Sequence, residues 1–188
     1  MKVHILIYDN YAHFEVDLIG WIKSREHEIV TVSLQNEEIK SVEGFIVKAQ
    51  KRLDDLNPTE VEAFIVAGGD AESIVGNERL RTFLRELNNR QKLIASICYG
   101  PLVLADAGIL NERTFTTSVT EDLELFNAFD GGTFHNTTVV IDDHIVTAKG
   151  TAYVEFSVAI CKKLNLTSES HLEHWTQFFS TKKEFILQ

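Results

Sequence analysis

The chain has 188 residues, 44% of them hydrophobic and 24% charged, the composition of one globular domain able to bury about 70% of its unfolded surface without staples. Eighteen basic against 28 acidic residues leave a net charge of −10, which speaks against nucleic acid or an anionic membrane as partner. No apolar run approaches the ~18 residues of a membrane span, Cys98 and Cys161 do not make a disulfide framework, and Met1-Lys2-Val3 runs straight into a strand rather than a signal peptide; the expected location is cytoplasmic.

Residues 3–8 (V-H-I-L-I-Y) read as a buried strand, with His4 a packed or edge residue rather than a ligand. After a loop, residues 14–23 carry a helical pattern that predicts Phe14, Leu18, Trp21 and Ile22 on the inner face. Glu15 then sits in the first helical turn, just past the first strand, where the helix dipole alone would favour a carboxylate. A second strand is expected at 28–34, and a β-hairpin across 38–51 turning at Glu43-Gly44. Residues 63–67 (A-F-I-V-A) form a third core strand running into Gly68-Gly69-Asp70. Such a glycine pair allows close approach of backbone to a ligand, or merely a tight turn. An amphipathic helix rich in Arg and Leu follows at 77–89.

The stretch at 92–108 (K-L-I-A-S-I-C-Y-G-P-L-V-L-A-D-A-G) is the most informative. Its apolar run at 93–97 has the look of a strand buried on both faces, and Pro101 fits the first turn of a helix. Between them lie Cys98, Tyr99 and Gly100. A reactive side chain on a tight strand-to-helix turn, with glycine two residues on, is the mechanical idea of a nucleophile elbow. The helix N-terminus that follows favours thiolate over thiol.

Beyond it, a short strand is expected at 115–118 and a helix at 121–129, stopped by Asp130-Gly131-Gly132. Strands at 137–141 and 144–148 make a hairpin around Asp142-Asp143, ending at Lys149-Gly150-Thr151. The helix at 153–164 turns Val154, Val158 and Cys161 inward, which makes Cys161 a core residue. The tail at 168–187, with Leu172, Trp175, Phe178 and Phe179, is helical and suited to docking on the domain or on a second subunit. His171 and His174 lie one turn apart without a further ligand, so no metal is expected.

Strands alternating with helices imply an α/β fold, a mostly parallel sheet with helices on both faces. Functional groups in such sheets gather beyond the carboxyl ends of the strands. The segments that follow three strand ends carry Glu15, Gly68-Gly69-Asp70 and Cys98. Where those strands are neighbours, a nucleophile, a carboxyl and free backbone N–H groups meet in one place.

The order strand–F-E, strand–A-G-G-D, strand–S-I-C-Y-G-P, strand–T-A-K-G-T and helix resembles the ThiJ/PfpI family, of the class I glutamine amidotransferase-like fold, over nearly the whole chain to about Leu164. The resemblance implies a flavodoxin-like three-layer sandwich, one domain over 1–188 with 166–188 as a helical extension, and a homodimer. It implies Cys98 as nucleophile, Glu15 as the glutamate facing the elbow, and the Gly69 and Tyr99 N–H groups as an oxyanion hole, with Gly68 and Asp70 in the same backbone turn. Peptidase-like members carry His directly after the elbow cysteine, where this chain has Tyr99, a poor base at neutral pH. The His-x-Glu pair of glutamine amidotransferases is absent from 148–151. His135 is the candidate for a late catalytic imidazole.

The expected function is cysteine-dependent chemistry of hydrolase, amidase or lyase type on a small carbonyl or amide substrate, without a cofactor. A desolvated, protonated Glu15 would donate a hydrogen bond to the thiolate, and the pair would titrate as a unit. The rival is an oxidation-responsive protein without turnover, in which Cys98 becomes a sulfinic acid held by Glu15.

Overall fold

The hydrophobic runs at 3–8, 63–67 and 93–97 become adjacent strands of one sheet in the computed structural model, which describes residues 1–120 and 127–180. The strands are β1 (Lys2–Leu6), β2 (Glu28–Ser33), β3 (Glu38–Lys40), β4 (Ile46–Lys48), β5 (Lys51–Arg52), β6 (Ala63–Val66), β7 (Leu93–Ile97), β8 (Thr114–Phe115), β9 (Thr133–Phe134), β10 (Val139–Asp142) and β11 (Ile145–Ala148). The main sheet runs β10-β11-β7-β6-β1-β2-β5 and is parallel except for β10 against β11. Leu6 pairs with Val66, Val66 with Ser96, and Ile97 with Ala148. The carboxyl ends of β1, β6, β7 and β11 are therefore level, and the loops leaving them share one rim.

The helices are α1 (Phe14–Ile22), α2 (Glu78–Asn89), α3 (Pro101–Asp106), α4 (Tyr153–Lys163) and α5 (Glu169–Ser180). From β1 the chain steps to β2 on one side and later to β6 and β7 on the other. Right-handed crossovers then place α1 and α2 on opposite faces, with α4 and α5 packed on α1, and α3 on α2. This is the three-layer α/β sandwich. In α2, the Asn77 side chain accepts the Leu80 N–H at 3.0 Å as N-cap, and Leu80, Phe83, Leu84 and Leu87 form the buried stripe. The Phe83 ring meets Phe64 of β6 at 5.1 Å between centroids.

Two expectations need correction. The inner face of α1 is Glu15, Val16, Leu18, Ile19 and Ile22, whereas Phe14 is 48% and Trp21 62% exposed. These aromatics flank the sheet-facing stripe and meet Tyr153 at 5.6 Å and Trp175 at 6.0 Å. The strand expected at 115–118 is only Thr114–Phe115, paired with β9 outside the main sheet; its continuation is held by side-chain hydrogen bonds. The helix expected at 121–129 falls largely on 121–126, outside the described residues, and Asn127–Phe129 form a 3-10 turn. Helix α5 docks on its own domain through Leu172 and Trp175, and Cys161 is buried in α4. No helix among the described residues is long and apolar enough to cross a membrane.

Asp106 at the end of α3 ties this face together. It takes the Arg81 guanidinium in a fork, Nε at 2.7 Å and Nη2 at 2.6 Å, and the Gly76 N–H at 2.9 Å. Burial alone would raise its carboxyl, but these bonds outweigh burial and hold it below its ordinary value. The folded state thus binds this proton more weakly than the unfolded chain, so the stabilisation is present above the unfolded value and is lost as pH falls through the folded one. Asp106→Asn is expected to lower Tm by several degrees at pH 7, with the deficit shrinking below pH 4 in a series of thermal melts.

Candidate active site

Cys98 ends β7 with φ +62°, in the left-handed region that costs a side-chain-bearing residue energy and that clusters at functional positions. Three bonds hold it there. Its N–H donates to Ala148 O at 2.9 Å, and its carbonyl accepts the Ser118 N–H at 3.0 Å and the Thr117 hydroxyl at 2.8 Å. Gly100 completes the elbow: a Cβ there would lie 2.7–2.9 Å from the carbonyl oxygens of Val66, Ala67 and Ile97. The sequence reading of a tight turn with close backbone passage beneath it matches this geometry, and the left-handed backbone at Cys98 adds to it.

Glu15 reaches the sulfur from α1. The residue is 1% exposed, Oε2 accepts the Gly68 N–H at 2.7 Å, and the carboxyl lies beside the Cys98 side chain, both bordering the space over Gly68 and Gly150. Two glycines press on this pair. A Cβ on Gly68 would stand 2.5 Å from Cys98 Cβ and 2.7 Å from Glu15 Oε2; one on Gly150 would stand 2.8 Å from Sγ and 3.0 Å from Glu15 Oε1. Tyr8 braces the same turn, its hydroxyl donating between the carbonyls of Ala67 at 2.8 Å and Gly68 at 2.7 Å.

Burial raises the Glu15 carboxyl, and the bonds from Cys98 and Gly68 only partly offset it. The Cys98 thiol is pushed up to about 12, by burial first and by the Glu15 charge second, against hydrogen bonds from Ser118 and the Tyr99 N–H. Both groups therefore resist being charged together. Between its two titration steps the pair holds one negative charge and one proton, shared by sulfur and carboxyl.

The structure brings together Cys98, Glu15, Gly68 and the Tyr99 N–H. The Gly68 N–H is committed to Glu15, while among the described residues the Gly69 N–H has no acceptor. Asp70 is exposed and donates its N–H to Asn10 O. His135 is exposed beyond β9, and its ring joins none of the hydrogen bonds at Cys98. The sequence reading missed Ser118, Gly150 and Tyr8. The signal was faint: a T-T-S run after a strand, and a glycine just past the strand that proves to be the neighbour of β7. No group of three His, Cys, Asp or Glu that could hold a metal occurs among the described residues.

Comparison with known proteins agrees with this geometry. The model of the DJ-1/PfpI family matches residues 1–163. A deglycase of Thermococcus kodakarensis, TK1284, is 32% identical over 151 residues, spanning 79% of this chain and 90% of its own. The uncharacterized protease YoaZ of Bacillus subtilis is 31% identical, covering 97% of this chain and 92% of its own. The crystal structure of the DJ-1 superfamily protein Atu0886 from Agrobacterium tumefaciens superposes with a TM-score of 0.85 at 25% identity, over 96% of this chain and 97% of that one. A flavodoxin-like sandwich with a cysteine elbow at the rim, and these matches across most of its length, place the chain in the DJ-1/PfpI family.

Proposed function

We propose that the protein is a cysteine-dependent enzyme of hydrolase type acting on a small carbonyl or amide substrate, with Cys98 as nucleophile. The observation that carries this reading is a sulfur on a strained elbow beside a carboxyl that is almost wholly removed from water. In the reactive form the proton sits on Glu15 and the charge on sulfur. The thiolate attacks the carbonyl carbon, a C–S bond forms, and the carbonyl electron pair moves to oxygen beside the Gly69 N–H. Collapse expels the amine, which takes the Glu15 proton. Water then cleaves the thioester, Glu15 regains a proton, and thiolate and carboxylic acid are released.

The deglycase names among the relatives put glycated amino groups first in a substrate panel. Cys98→Ser is expected to reduce turnover by on the order of 10³ or more, with Tm little changed. A Cys98→Ser protein as active as the parent would remove the proposal. Thiol labelling should mark Cys98, which is partly exposed, and spare Cys161, which is fully buried.

One observation favours a second reading. Among the described residues the partners of the Cys98 sulfur are Glu15, Ser118 and the Tyr99 N–H, with no imidazole to serve as a base. An oxidation-responsive role would then convert the thiolate with two equivalents of peroxide to sulfinate and two of water. Intact mass after mild peroxide separates the two: two oxygens localised to Cys98, with no turnover on the panel, favours this reading over the first.

A further inference from the structure

We propose that Ser118 is a catalytic residue, a second side-chain hydrogen-bond donor to the Cys98 sulfur, aimed at it by the backbone of Gly150. The inference rests on the reading of Cys98 as a working thiolate and extends it to a residue from a different segment. A serine hydroxyl has one proton to give and two lone pairs to receive with. The Gly150 N–H occupies a lone pair of the Ser118 oxygen at 2.9 Å. The Cα of Gly150 itself lies against the sulfur, so that a Cβ there would stand 2.8 Å from Sγ. With its oxygen held by that N–H next to the same sulfur, the hydroxyl has its single proton left to turn toward Sγ, and a bond made there favours the thiolate.

The surrounding bonds remove the freedom that would make this contact incidental. The Ser118 N–H and the Thr117 hydroxyl both donate to the Cys98 carbonyl, at the residue whose backbone is left-handed. Thr116 anchors the segment to β11, donating its N–H to Thr147 Oγ1 at 2.9 Å. Residues 116–118 are thus laced to the ends of both β7 and β11. In the reactive form the sulfur would take the Glu15 proton from one side, the Ser118 proton from another, and the N–H of the next residue, Tyr99. A thiolate so surrounded keeps in a dry site much of the hydrogen bonding it would have in water.

The test is the rate of Cys98 alkylation by iodoacetamide from pH 5 to 10, in the full chain, for the parent, Ser118→Ala and Ser118→Thr, with labelling localised by mass. Ser118→Ala is expected to move the midpoint of the profile up by about one pH unit and to slow the reaction about tenfold below it; Ser118→Thr, which keeps the hydroxyl, restores both. Ser118→Gly is the second variant without a hydroxyl, should the alanine protein fail to fold, and must shift the profile the same way. An unshifted midpoint in a folded hydroxyl-free variant overturns the inference, as does a lowered Tm with an unchanged profile, which marks a purely structural role. Alkylation needs no substrate, so a shifted midpoint supports the role of Ser118 even where the substrate panel is blank, and a blank panel counts only against the hydrolase reading.

Discussion

Gly150→Ala will silence Cys98 in a protein that still folds. The added methyl carbon would stand 2.8 Å from Sγ, closer than Cβ atoms come to a neighbour, and 3.1 Å from Cys98 Cβ and 3.0 Å from Glu15 Oε1, both tighter than ordinary van der Waals contact. Gly150 does not have a positive φ, so the conflict is steric and can be relieved by swinging the sulfur away. That relief separates thiol from carboxyl. A misplacement of about 1 Å costs on the order of 10² in rate, and a similar loss is expected in Cys98 alkylation at pH 7. Gly68→Ala is the harsher change, because the nearest atom is Cys98 Cβ at 2.5 Å, which cannot move without the backbone. Overpacking of this kind costs about 1–3 kcal/mol, so its Tm should fall as well as its reactivity. Alkylation rates beside thermal melts check both; a Gly150→Ala protein with the parent's Cys98 reactivity would mean that the pair is not confined as the geometry requires.

The parts of this site that the sequence displays are those whose chemistry and local pattern coincide. Cys98 follows an apolar run and precedes Gly100-Pro101, and Glu15 follows the first strand by a short loop. Each is legible as a strand end without knowing which strands are neighbours. Ser118 and Gly150 are different. Ser118 lies in a segment with no periodicity, and its position depends on the Thr116 N–H bond to the Thr147 hydroxyl of β11 and on the Thr117 hydroxyl bond to the elbow carbonyl. Gly150 matters only because β11 lies beside β7, with Ala148 opposite Ile97, and the order of strands along the chain does not state that adjacency. Helix α1 misled for another reason. Its apolar residues at 14, 16, 18, 19, 21 and 22 wrap around the helix, so periodicity leaves two stripes open. The stripe through Phe14, Leu18, Trp21 and Ile22 is one of them, whereas the stripe that faces the sheet contains Glu15 and spends its volume on Val16, Leu18, Ile19 and Ile22.

Glu15→Gln should slow Cys98 at neutral pH while making the fold more robust there. In the parent, one proton is shared between carboxyl and sulfur, so thiolate becomes available as the pair loses its first proton, above the ordinary carboxyl value of 4.5 because burial raises it. The alkylation rate is therefore expected to climb through that first step and to level off beyond it. The carboxamide keeps an oxygen for the Gly68 N–H and offers an N–H to the sulfur, but it has no acidic proton to exchange. That first climb should vanish, leaving only the alkaline titration of the thiol, with a loss of about 10- to 100-fold at pH 7. Stability moves the other way. Folding raises this carboxyl, so its contribution is complete below the unfolded value and is lost as pH rises through the folded one; glutamine has nothing to lose. The Tm of Glu15→Gln minus that of the parent should grow from pH 4.5 to 7.5. Faster alkylation in Glu15→Gln at pH 7 would show the opposite resting state, an ionised Glu15 that repels charge from the sulfur, and would transfer the activation of Cys98 from the carboxyl to Ser118 and the Tyr99 N–H.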